Sequence, residues 1–167
     1  LKAQNFYIAE LAKSQIGLSY LKERQISEAT RQKFGLGYSP DNWQALEAVF
    51  GEKYSSKALE DCGLVITKDG HRYDRFRGRV MFPIRNPRGQ VIGFGARVIG
   101  KGEPKYLNSP ETDIFKKGQE VYGLWEGREA IRKAGRAIVC EGYMDVIQLS
   151  QAGFGEAVAA LGTAIGE

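Results

Sequence analysis

The chain has 167 residues, enough for one domain or two small ones. Its 43% hydrophobic, 26% charged and 11% aromatic residues make a globular composition, which excludes disorder throughout; its 21 glycines follow no Gly-X-Y period, which excludes collagen. The 24 basic and 20 acidic residues leave a net charge of +4. No apolar run approaches the ~20 residues that a membrane span needs.

The opening stretch carries Lys2, Gln4, Asn5 and Glu10 where a secretory leader would be apolar. The chain starts at Leu1, so its natural N-terminus is expected to lie upstream. Two cysteines far apart in sequence, Cys62 and Cys140, and a single histidine exclude a structural zinc site within these residues. The chain reads as cytosolic and reduced.

The first third reads as helical, with Phe6, Tyr7, Leu11, Ser14 and Leu18 at partial helical spacing. Ser27 caps a short helix running to Phe34, which Gly35 ends, and Asp41 is the expected N-cap of a helix over 42–50 stopped by Gly51. Ser55 or Ser56 starts another that ends near Gly63. Residues 79–85 (RVMFPIR) and 90–99 (QVIGFGARVI), separated by Asn86-Pro87-Arg88-Gly89, read as a hairpin, with Pro83 marking an edge or a bulge. Residues 100–123 show no period and read as an ordered loop region. A helix is expected over 124–134 with Gly135 as its cap, then a strand over 137–140, a helix over 143–152 and a strand from 157 to 161. Strand, helix and strand within about 25 residues define a parallel βαβ unit. A doubly wound sheet rarely ends there, so the sheet is expected to continue beyond Glu167. The domain boundary falls between 118 and 136. Trp43 and Trp125 are assigned to the core.

The positive charge is concentrated. Residues 68–105 hold ten basic side chains against three acidic ones, a local balance of +7, and the remainder of the chain stands at −3. Seven of the ten are arginines, suited to bidentate phosphate contact, and Tyr73, Phe76, Phe82, Phe94 and Tyr106 are interleaved with them. Composition alone fits either a solvated strand face over ordinary core aromatics or a polyanion-binding surface.

The segment Val139-Cys140-Glu141-Gly142-Tyr143-Met144-Asp145-Val146 carries the most chemistry. Glu141 sits where a strand ends and a helix begins, the place where parallel α/β sheets bind ligands. Asp145 follows in the first helical turn, near the same edge. Two carboxylates there suit a hard divalent cation; equally, Glu141 can cap the helix and Asp145 can complement its dipole. His71 lies among Asp69 and Asp74 in a polar stretch and reads as solvated. Gly93-Phe94-Gly95 has no third glycine and no following helix, so it is read as strand glycines admitting a neighbouring backbone rather than a dinucleotide fingerprint.

The string EGYMDV after an apolar strand resembles the glutamate motif of the Toprim fold. Together with RYDRFRGRVMFPIRNPRGQVIGFGARV and PKYLNSPETDIFKKGQEVYGL, it resembles the catalytic core of bacterial DnaG-type primases, over nearly all 167 residues. The resemblance implies an α+β architecture: a mixed helical and β amino-terminal subdomain (1–120) followed by the start of an α/β Toprim domain (121–167). It implies a nucleotidyltransferase, a DNA-directed RNA polymerase that makes short RNA primers on single-stranded DNA from ribonucleoside triphosphates in the bacterial cytoplasm. Glu141 is then the catalytic glutamate, and Glu141 with Asp145 contributes to a Mg2+ or Mn2+ site. Arg97, Lys105 and Asn108 fall on nucleic-acid or nucleotide positions, as do Lys117 and Arg24; Ser109 is a further hydrogen-bonding candidate, and Tyr106 reads as packed or as a base-stacking ring. Zinc and the replicative helicase are bound, in such proteins, by domains outside this chain. The family's later Asp-x-Asp pair does not occur in these residues, so the 167 residues alone are expected to make little or no primer. Two other readings stay open, a non-catalytic module for single-stranded nucleic acid or nucleotides, and a Toprim nuclease or topoisomerase.

Overall fold

The computed structural model describes residues 1–162. Helices α1 (Lys2–Lys13), α2 (Gln15–Glu23) and α3 (Glu28–Phe34) open the chain. Ser14 ends α1 and caps α2 by accepting the Gly17 amide N–H at 3.0 Å. Ser27 caps α3 through the Thr30 amide, and Gly35, at φ +63, closes it in a left-handed cap. Strand β1 (Gly37–Ser39) follows.

The helix expected from Asn42 is mostly absent. Residues 43–46 form turns, and only Glu47–Phe50 (α4) is α-helical, running into a 3-10 turn over Gly51–Ser55. The reason is tertiary: the Leu46 amide donates to Asp74 Oδ2 (3.1 Å) and the Asp74 amide to the Trp43 carbonyl (2.7 Å), which takes backbone groups a regular helix would use. Asn42, not Asp41, receives the first free amide, that of Gln44. Helix α5 (Lys57–Asp61) starts after Ser56 as expected.

Strands β2 (Val65–Lys68) and β3 (His71–Asp74) form a tight hairpin, so His71 is a strand residue, exposed at the turn. Its turn residues Asp69 and Gly70 both have positive φ (52° and 76°), the geometry for which Asp-Gly is favoured. Strands β4 (Arg79–Arg85) and β5 (Val91–Val98) make the expected second hairpin, flanked by β1 and by β6 (Tyr106–Asn108), to give a four-stranded sheet of order β1-β4-β5-β6. β1 pairs only with Arg79–Met81, so at Pro83 that side of β4 lacks a strand partner, and a register shift follows at Ile84/Arg85. Val80, Phe82 and Ile84 enter one apolar cluster and Met81 another, which is why β4 reads as a continuous apolar run.

Strand β7 (Val121–Tyr122), helix α6 (Arg128–Ala134), strand β8 (Ile138–Cys140), helix α7 (Tyr143–Gln151) and strand β9 (Ala157–Ala160) complete the described chain. β8 and β9 are parallel with α7 between them, as the βαβ reading requires, and β7 joins the far side of β9 antiparallel. The expected start of α6 at 124 is replaced by turns through Gly127.

The two halves share one core. Leu21, Phe34 and Phe82 from the first half pack in a single cluster with Tyr122, Tyr143, Val146 and Ile147 from the second. Polar ties reinforce this: Gln151 accepts the Ser27 amide (2.8 Å) and donates to the Gln25 carbonyl (2.6 Å), and Lys33 Nζ donates to Ser150 Oγ (2.9 Å). Arg85 on β4 pairs with Glu126 at 2.9 Å, with 14% and 3% of their side chains exposed.

Candidate active site

A cavity of about 450 Å³ opens at the carboxyl ends of β8 and β9. Glu141, Gly142 and Asp145 line it from the strand-to-helix turn, Ala160 and Leu161 from the end of β9, and Arg24, Tyr106 and Asn108 from the amino-terminal half. Ligands of parallel α/β sheets bind at such strand ends. Glu141 and Asp145 are both exposed, and neither carboxylate has a hydrogen-bond or ion-pair partner among the described residues. The capping alternative for Glu141 is not realised: the α7 N-cap is Gly142, with no side-chain cap. Asp145 borders a recess with Cys140 at the strand end, and the Cys140 thiol is pushed up by burial first and by the Asp145 charge second.

Two uncommitted carboxylates on one cleft wall suit a hard cation that keeps waters or substrate oxygens in its remaining positions. Among the described residues, no group of three or more His, Cys, Asp or Glu side chains forms a metal cage. The donor set fits a share in such a site rather than the whole of it.

The opposite wall is β6, and strand alternation sorts its side chains. Tyr106 and Asn108 face the carboxylates, and Leu107 faces a second hollow on the other side. Tyr106 is 42% exposed, stacks on Tyr143 (6.4 Å between centroids) and has its hydroxyl pKa raised by burial. It is therefore both packed and accessible. Arg97 pairs across with Tyr106 and is only 9% exposed. Its guanidinium lies 5.4 Å from the Tyr106 ring and 5.8 Å from Tyr20, and it donates to the Val98 carbonyl. Lys105 is exposed one residue before Tyr106. Arg24, exposed, lies over Tyr20. Lys117 is half-buried and its carbonyl packs near Gly162, just beyond β9. Ser109 is not available to a ligand: it is 1% exposed and its Oγ accepts the Phe94 amide.

The arginine block is less free than its sequence implies. Arg72 holds the Tyr54 and Ser56 carbonyls, Arg75 the Asn108 carbonyl (2.8 Å), Arg77 the Asp74 carbonyl (2.6 Å) and Arg79 the Lys105 carbonyl (3.4 Å). Short strands and tight turns leave carbonyls without ladder partners, and guanidinium forks satisfy them. The block also splits across β6: Arg97 stands on the carboxylate side, and Arg75, Arg77 and Arg79 line the second hollow, of about 580 Å³.

That hollow contains a feature the sequence reading missed. Trp43, assigned to the core, is 62% exposed. The Arg77 guanidinium sits 4.1 Å from its ring and 5.3 Å from that of Tyr73, and the two rings meet edge to face. Trp43 sits in a turn between Pro40 and Gln44, so no helix carries it inward. Trp125 is half-buried, held between Gly89 and the Arg128 guanidinium. The strand glycines also admit side chains rather than backbone: a Cβ on Gly95 would lie 2.3 Å from Tyr143 Cζ, and one on Gly93 would lie 3.3 Å from Ser109 Cβ.

A βαβ unit with an acidic strand end, fused through one core to a mixed subdomain with an aromatic and cationic face, is the arrangement of a Toprim-type fold. Comparison with known proteins makes this specific. Residues 6–128 match the family described as DNA primase catalytic core, N-terminal domain, and residues 135–167 match the Toprim domain. The DNA primase of Neisseria meningitidis serogroup A is 55% identical over 160 residues, which are 96% of this chain and 27% of that protein. The Escherichia coli primase catalytic core superposes with a TM-score of 0.90 at 45% identity, covering 98% of this chain and 53% of that one. A DnaG primase catalytic domain solved with bound single-stranded DNA gives the same TM-score and identity, over 97% of this chain and 52% of that one. The chain belongs to the DnaG-type DNA primase catalytic-core family, and it spans about a quarter of the length of the curated relatives it matches.

Proposed function

We propose that the chain is part of a primase, a DNA-directed RNA polymerase that assembles short RNA primers on single-stranded DNA by metal-dependent nucleotidyl transfer. The observation that carries this reading is that the free carboxylates Glu141 and Asp145 share one cleft with Arg24, Tyr106 and Asn108, with the Arg97 guanidinium against the Tyr106 ring. Phosphoryl transfer asks a protein chiefly for positioning and charge stabilisation. Here Glu141 and Asp145 supply oxygen ligands for a divalent cation, Mg2+ or Mn2+, which would neutralise charge developing on the transferred phosphate. Arg97, Lys105 and Lys117 supply cations for a triphosphate or a template phosphate, with Arg24 at the rim. Asn108 adds neutral hydrogen bonds, and Tyr106 offers a ring face to a base.

We place the division between the amino-terminal subdomain and the Toprim part at 120/121, supported by the pairing of β7 with β9. The site works in the bacterial cytoplasm, with helicase and zinc contacts made by other parts of the protein. The 167 residues alone are proposed to make little or no primer, since two carboxylates hold a cation pair poorly.

The test is primer synthesis on a single-stranded template by the full-length protein carrying this chain, compared with its Glu141→Gln variant. The variant is expected to lose at least about 100-fold in kcat with an unchanged thermal midpoint, because the carboxylate is exposed and unbonded. Equal activity in both proteins removes Glu141 from the reaction. A binding-only module, the second reading, would keep single-strand affinity and make no primer with either glutamate or glutamine.

A further inference from the structure

Tyr143 is the first residue of α7, directly after Glu141 and Gly142; it borders the same cavity as the carboxylates and is 6% exposed. Its ring is fixed on several sides. It stacks on Phe82 at 5.0 Å with 6° between planes, meets Tyr122 edge to face at 4.7 Å, and lies over Gly95, where no Cβ would fit. A ring held in this way cannot rotate to take another partner. Its hydroxyl ends 2.7 Å from Asn108 Oδ1.

We propose that Tyr143 is a positioning residue that fixes the orientation of the Asn108 side-chain amide, so that Asn108 offers its two N–H donors to phosphate oxygens of a ligand in the cleft. The inference rests on the polyanion reading of the cleft given above. An amide can present either its oxygen or its nitrogen, and the two orientations fill nearly the same space. In the structure it is Oδ1 that meets the Tyr143 hydroxyl, at 2.7 Å, within the usual range for an O–H···O bond. The hydroxyl therefore donates, Oδ1 accepts, and the nitrogen is left facing the cavity that Asn108 lines. The Asn108 main chain is clamped as well, its carbonyl accepting from Arg75 Nη2 at 2.8 Å and Nε at 3.2 Å. Among the described residues the Asn108 nitrogen has no hydrogen-bond partner, so its donors are free for a ligand. The aromatic stack thus ties the glutamate-bearing turn to the orientation of a donor on the facing wall.

The decisive measurement is binding of inorganic tripolyphosphate, and separately of a single-stranded oligodeoxynucleotide, to full-length protein carrying Tyr143→Phe, Asn108→Ala or both, with Asn108→Asp as a fourth variant. Phenylalanine keeps the ring stack and removes only the hydroxyl. Tyr143→Phe is expected to bind about three- to tenfold more weakly, the range for one net hydrogen bond, and the double variant no more weakly than Asn108→Ala alone. Asn108→Asp, which offers acceptors only, is expected to bind more weakly than Asn108→Ala. In primer synthesis the Tyr143→Phe defect falls on KM more than on kcat. Loss confined to tripolyphosphate assigns the donors to the incoming triphosphate; loss confined to the oligonucleotide assigns them to the template backbone. Unchanged affinity for both probes in Tyr143→Phe, effects that add fully in the double variant, or Asn108→Asp binding as well as Asn108→Ala overturns the proposal. Binding is read without primer synthesis. A protein that makes no primer but weakens in Tyr143→Phe refutes the primase reading and leaves this inference standing.

Discussion

Gly95→Ala is expected to be among the most damaging single-methyl changes in this chain, and Gly93→Ala supplies its control. Both glycines lie in β5 with ordinary extended backbone, so added strain arises from space and not from φ. At Gly95 the new Cβ would sit 2.3, 2.5 and 2.6 Å from Tyr143 Cζ, hydroxyl oxygen and Cε2. Relief requires about 1 Å of movement by a ring that is stacked on Phe82, abutted by Tyr122 and bonded to Asn108. Overpacking of this kind costs about 1–3 kcal/mol, and losing the buried Tyr143–Asn108 bond adds about 1 kcal/mol. We therefore expect about 2–4 kcal/mol. At Gly93 the nearest atoms are at 3.3 and 3.4 Å, on Ser109, so a few tenths of an ångström suffice and the change should stay within about 1 kcal/mol. Urea denaturation at constant m-value reads the difference directly, and a chain of this size should lose about 2–4 °C of thermal midpoint per kcal/mol. Replacing Tyr143 by Ala in the Gly95→Ala background should cost less than the sum of the two single changes, since the clash has gone. Equal cost for Gly95→Ala and Gly93→Ala, or full additivity with Tyr143→Ala, would refute the reasoning.

Arg85→Met should destabilise by about 3–5 kcal/mol, because Glu126 is then left charged and buried; adding Glu126→Leu should restore most of the loss, and a double variant as unstable as the single would show that the pair is not the cause. Trp43→Ala should weaken single-stranded DNA binding by about 1–3 kcal/mol while leaving the KM for nucleoside triphosphate unchanged, since Trp43 stands across β6 from the carboxylates. Arg77→Ala should in addition lower the salt slope of that binding by about one; unchanged DNA affinity and salt slope in both variants would remove this hollow from the path of the single strand.

Features that depend on local chemistry are legible in the order of residues alone. Ser27 and Gly35 bound α3 because a side-chain cap and a left-handed glycine act within one turn of chain. Asn86 to Gly89 set the β4–β5 hairpin, and the apolar stretches around Glu141 set the parallel unit that puts Glu141 and Asp145 on one edge. The β2–β3 hairpin was also within reach, since Asp69-Gly70 is a strong turn signal, but its strands are too short and polar to show alternation. Features that depend on partners distant in sequence emerge only from the packed chain. Trp43 is exposed because Asp74 captures the backbone of the turn that carries it. Ser109 is consumed by Phe94, and most of the arginine block by carbonyls that short strands leave open, so a run of positive charge in sequence becomes two faces of one strand. Tyr143 reads as one more apolar helix residue until its neighbours are known. Local propensity specifies where elements start and stop, whereas a hydroxyl's partner is fixed only when the core closes around its ring.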